Sequence, residues 1–140
     1  MAIVSWVELT SIEQLPVGLF LSPWHKVVDI NRGATHLLMR ATGTWSAIPG
    51  VLEPCGPNGH AGFVLPSDRV VLADAPPGAL IGRIGGSAAS LQPDGVFAIG
   101  TDCVIPMPAD SVGPLFVSFN IASRPIDVRA FTISVYSASL

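Results

Sequence analysis

The chain is short of charge. Only 12 % of its 140 residues are Asp, Glu, Lys or Arg, against about 25 % in an average soluble domain. A folded chain of this mass exposes roughly 7,000 Å², so its charges lie far apart. Sparse charge of this kind predicts a partly covered surface, and hence an oligomer or assembly subunit, with a lone monomer as the open alternative. Basic residues are the scarcer sign: 7 Lys and Arg stand against 10 Asp and Glu, net charge −3, and Lys26 is the single lysine. Nucleic acid and anionic membranes both need basic patches, so neither is an expected partner.

Other absences narrow the class further. Cys55 and Cys103 are the only cysteines; a single pair between them is open, but two thiols make no disulfide framework, and two buried free thiols are the default expectation. The longest apolar runs, near 17–21 and 70–73, fall far below the ~20 residues of a membrane span, so membrane insertion is not expected. The start, Met-Ala-Ile-Val-Ser-Trp, carries Glu8 and Glu13 before any basic residue, which is unlike a signal peptide. The expectation is a chain cytoplasmic when made, and carried by a virion or released assembly if it leaves the cell. Gly-x-Ser-x-Gly, Cys-x-x-Cys and His-x-x-x-His do not occur, and His25, His36 and His60 are isolated. No paired carboxylates stand out either. The chain therefore reads as no enzyme, with no catalytic residues, no cofactor and no metal. His36 reads as a packed or interface histidine. Gly82-Arg83-Ile84-Gly85-Gly86-Ser87 lacks the Gly-Lys-Ser/Thr ending of a phosphate loop and reads as a strand closing in a tight turn.

What is present is apolar and turn-rich. Apolar residues make up 49 % and mean hydropathy is +0.56, which excludes a disordered tail. The 14 glycines and 13 prolines are spread along the chain, so turns are frequent and helices few. Residues 35–42 alternate with Leu37, Met39 and Ala41 on one face, residues 115–120 with Leu115, Val117 and Phe119, and residues 131–136 with Phe131, Ile133 and Val135. Period two is the mark of a strand with one face in a core. Shorter strands are expected at 70–73, 79–84 and 96–99, with a long irregular loop over 46–62. At the start, an edge strand over 3–9 is favoured over a weak helix at 8–15. Seven or eight short strands predict an all-β fold, an antiparallel β-sandwich of one domain over 1–140. Within it, 1–34 forms an edge strand or an interface segment carrying Trp6, Phe20 and Trp24.

Four segments carry a resemblance. They are Ala41-Thr42-Gly43-Thr44-Trp45-Ser46, then Gly56-Pro57-Asn58-Gly59, then Pro77-Gly78-Ala79-Leu80-Ile81-Gly82-Arg83-Ile84-Gly85, and last Gly113-Pro114-Leu115-Phe116-Val117-Ser118-Phe119-Asn120 with Phe131-Thr132-Ile133-Ser134-Val135. In this order they resemble the PA-IL-like galactophilic lectin family, over about two-thirds of the chain. The resemblance implies a jelly-roll-like sandwich related to galactose-binding domains over 35–140. It also implies a calcium ion held after an Asn-Asp pair, with a hexose completing its shell. Here Ile121 stands for the aspartate, Ile126-Asp127 for an asparagine pair and Ile48 for an aromatic ligand. One carboxylate near Arg124 and Arg129 is a poor calcium site, so calcium is expected to be lost.

For sugar contacts the candidates are Trp45 as a stacking face, His60, Asp68 and Arg69 from the loop at 60–69, and Asn120 with Asp127. A core tryptophan, a solvent-exposed histidine and a surface Asp68–Arg69 pair are the competing readings. Two functions follow. One is a carbohydrate-binding, lectin-like module, with a glycan or cell-surface polysaccharide as partner and a homo-oligomer as its setting. The other is a structural subunit of a virion or surface fibre with no retained sugar site.

Overall fold

Two long alternating stretches organise the molecule. The computed structural model describes residues 6–14, 18–30, 33–85, 95–107, 112–123 and 125–139, with backbone alone for 10–14. Its strands are β1 (Val7–Gln14), β2 (Gly18–Phe20), β3 (His25–Ile30), β4 (His36–Ser46), β5 (Leu80–Ile84), β6 (Phe97–Ala98), β7 (Asp102–Pro106), β8 (Gly113–Phe119) and β9 (Ile126–Ala138). They form two antiparallel sheets packed as a β-sandwich. One has the order β1-β9-β4-β7, with β2 also pairing β9; the other runs β3-β8-β5-β6. No α-helix occurs among the described residues, and none is long and apolar enough to cross a membrane.

The core lies where alternation predicts. β4 contributes Leu37, Met39, Ala41 and Trp45; β9 contributes Ile126, Val128, Phe131, Ile133 and Val135; β8 contributes Leu115, Val117 and Phe119. Burying each large side chain stabilises the fold by about 1.5–3 kcal/mol. Trp45 and Phe119 lie 4.6 Å apart between ring centroids, and Phe131 completes the cluster at 6.2 Å from Phe119. Gly43 lets β9 approach: a Cβ there would sit 2.9 Å from the Phe131 Cα.

A second apolar cluster sits on the outer face of the β3-β8-β5-β6 sheet. Ile81 and Phe116 alternate with core residues along β5 and β8, so they point outward, where Trp24, Val71, Leu72 and Val96 cover them. Arg83 shares this face. Its guanidinium lies 4.7 Å from the Trp24 ring centroid and 5.6 Å from that of Phe116, and its Nε donates to the Gly85 carbonyl at 3.2 Å. Burial pushes its pKa down.

Several expectations need correction. The edge strand expected at the start is present as Val7–Gln14, paired with β9, so 8–14 is no helix; residues 3–5 and 15 lie outside the described residues. The start of the chain then supplies β2 and β3 to both sheets. Trp24 is buried at 2 % exposure and Phe20 packs edge-on against Phe119 at 5.6 Å, while Trp6 stays 37 % exposed. Residues 70–73 are no strand, because an asparagine side chain takes their backbone groups. β2, β3 and β7 went unread. A register shift between Lys26 and Val28 interrupts the alternation of β3, and β7 ends at Pro106, as an edge strand allows. Both thiols are free, Cys55 buried and Cys103 half-buried.

Candidate functional site

Strand register brings most of the candidates to one end of the sandwich. β4 leaves at Ser46 opposite Asp127, β5 enters at Leu80 opposite Phe119, and β2 ends at Phe20 opposite Ile126. The segment 47–79 spans this end without a strand, bridged back at Trp45 and Cys55.

Asn120 holds that segment in place. Its Oδ1 accepts from the amides of Val71 at 3.0 Å and Leu72 at 2.7 Å. Its Nδ2 donates to the carbonyls of Leu72, Ala75 and Pro76 at 2.9, 3.0 and 3.1 Å. The backbone closes the arrangement, with Asn120 N donating to Ala79 O and Gly78 N to Asn120 O. Asn120 is fully buried, and its hydrogen-bonding capacity is taken up by the loop. It is a positioning residue.

The other candidates separate. Trp45 has 0 % exposure and its Nε1 donates to Gly78 O at 2.8 Å, so it presents no face to a ligand. Asp68 and Arg69 are exposed on the turn Ser67–Arg69, which docks through Ala122 N donating to Arg69 O. Asp127 is half-buried on β9, between Leu19 and Ser46. His60 is half-buried, with its ring 6.4 Å from that of Phe63 and its Nε2 buried without a hydrogen-bond partner. His36, on β4, has its Nδ1 3.0 Å from Thr35 Oγ1.

Clefts lined by described residues open at this end. The first, about 200 Å³, is lined by Gly62, Phe63, Val64, Leu65, Val70, Asp74 and their neighbours up to Pro77. Phe63 is 43 % exposed there. Gly59 supports the loop behind it, since a Cβ at that residue would lie 2.6 Å from Ala79 N, at a φ of +70°. The second cleft, about 260 Å³, is lined by Ser46, the turn from Gly50 to Pro54, and Arg129. The candidates read from the sequence do not include the cleft-lining Phe63, Asp74 and Glu53, and Arg129 enters there only as a charge unfavourable to calcium. Phe63-Val64-Leu65, an apolar run between Gly62 and Pro66, was the one local signal available.

The residues that the resemblance aligns with calcium ligands do not suit that ion. Ile121 is fully buried in the core, the Asn120 amide is committed to the loop, and calcium takes six to eight oxygens. Among the described residues no group of three or more His, Cys, Asp or Glu is placed to hold a metal. Close by, burial pushes the Cys55 thiol up to about 11. No family model matches the chain, and no curated protein matches it.

Proposed function

We propose that the protein is a non-enzymatic, lectin-like carbohydrate-binding module that works within an oligomer or larger assembly. The observation that carries this reading is the cleft holding Phe63 and Asp74 on a loop pinned from behind by Asn120. A pyranose ring has an apolar face of C–H groups and a rim of hydroxyls. The Phe63 ring suits the first, and the Asp74 carboxylate accepts hydrogen bonds from the second. A loop already held in place loses little further entropy on binding. The sequence resemblance to galactophilic lectins points to the same ligand class, and the thin charge coat supports an assembly.

A glycan array with the intact protein, Phe63→Ala and Asp74→Ala tests this. Binding to a subset of glycans, weakened in both variants, is the expected result; silence on every glycan removes the reading. Leu19, Leu21, Val51, Val64 and Val104, all more than half exposed, favour a second reading, a purely structural subunit of a virion or surface fibre. Light scattering that shows an oligomer, with a silent array, would select it.

A further inference from the structure

The second cleft gathers three polar side chains. Ser46 lines it at 6 % exposure. Glu53 and Arg129 line the walls, both exposed, and they do not pair with each other or with any other described group. Opposite charges that share a small cleft without closing on each other leave room for a ligand between them.

The backbone builds this arrangement. Thr44 pairs with Ala130 and Trp45 with Val128, so Arg129 is the extra residue of a register shift in β9. Such bulges re-aim a side chain, and here it lines the cleft. Across from it, the turn is fixed by Val51 N and Leu52 N, each donating to Ile48 O at 3.0 Å. It is also held by the reciprocal bonds between Trp45 and Cys55 at 3.0 and 2.9 Å.

We propose that this cleft binds an uncharged, hydroxyl-rich ligand, of which a neutral hexoside is the model compound. One carboxylate and one guanidinium cancel in net charge, so neither an anion nor a cation gains from entering. Both groups are planar and multidentate: Glu53 accepts from neighbouring hydroxyls, Arg129 donates to hydroxyl oxygens, and the Ser46 hydroxyl does either. The ligand class is shared with the glycan reading but the residues are not, so each is tested apart from the other.

The test is an NMR titration of the full chain with the methyl glycosides of galactose, glucose and mannose. Glucuronate, glucosamine and inorganic phosphate serve as charged comparators. At least one neutral hexoside is expected to shift the amides of Ser46, Val51, Glu53 and Arg129 saturably. Glu53→Ala and Arg129→Ala should each weaken that binding about tenfold or more, the loss of a charged hydrogen-bonding group. Arg129→Lys, which keeps the charge and loses the planar fork, should weaken it too. Phe63→Ala should leave these shifts in place while disturbing those of residues 62–76, which keeps the two clefts distinguishable. The proposal is overturned if no hexoside moves these amides, if a charged comparator saturates the cleft at lower concentration, or if Arg129→Ala binds as the parent does. Both altered side chains are exposed, and the dispersion of the same spectra reports that each variant is folded.

Discussion

Asn120 and Leu72 exchange two hydrogen bonds, the Leu72 amide donating to Oδ1 at 2.7 Å and Nδ2 donating to the Leu72 carbonyl at 2.9 Å. One side chain thereby acts as a strand edge for a segment that has no strand beside it. Residues 71–76 lie over the outer face of the second sheet because this amide satisfies backbone groups that would otherwise be buried unpaired.

Replacing Asn120 by Ala is therefore expected to remove about 3 kcal/mol or more of stability, since the Val71 and Leu72 amides lose their acceptor. Urea unfolding measures the loss. Hydrogen exchange at Val71 and Leu72 should quicken beyond the global change; unchanged protection there would contradict the pinning role.

Arg83 lies between two aromatic faces, over Trp24 and Phe116. Arg83→Ala should cost about 2 kcal/mol, from the lost cation–π contacts and the packing of its stem. Trp24 fluorescence should shift to the red as water reaches its ring. Arg83→Lys should recover only part of the stability, because an ammonium does not stack as a planar guanidinium does.

Cys55 gives a pH dependence of known sign. Its thiol holds its proton more tightly folded than unfolded, with a pKa raised from 9.0 to about 11 by burial. The folded state thus binds the extra proton between those values. The thiol's contribution is present in full below pH 9 and is lost as pH rises to about 11, by about 2 kcal/mol. Cys55→Ala should lack that loss in urea midpoints measured across the window. At about pH 8, where the thiolate is the reactive form, thiol reagents should label half-buried Cys103 first and Cys55 only on unfolding.

Calcium should leave thermal stability unchanged, and a chelator likewise. A ligand that binds the folded state raises the melting temperature by mass action, and Ile121 in the core supplies no oxygen side chain to hold this one. A melting temperature that climbs with added calcium would show a site built from other groups.

Reading the chain alone recovers much of the sandwich, for a physical reason that particular residues make plain. Leu37, Met39 and Ala41, or Phe131, Ile133 and Val135, alternate because each strand has one face in the core, and period two is a local property. The same logic fails at Val70 to Ala73, where Val71 and Leu72 are apolar because they cover Ile81 and Phe116, not because they join a sheet. At Trp45 the alternation holds, since it shares the face of Leu37, Met39 and Ala41. A tryptophan near a loop suits a sugar platform or a core, and only its packing against Phe119 decides for the core.

Composition and alternation by themselves determined the all-β class and the scarcity of helix, since these depend on neighbours along the chain. The tertiary structure alone decided that Asn120 is a clasp, that the N-terminal segment supplies strands to both sheets, and that Glu53 and Arg129 line one cleft. Those facts depend on register between strands distant in sequence, where a single bulge at Arg129 redirects a side chain. No local pattern encodes a relation of that kind.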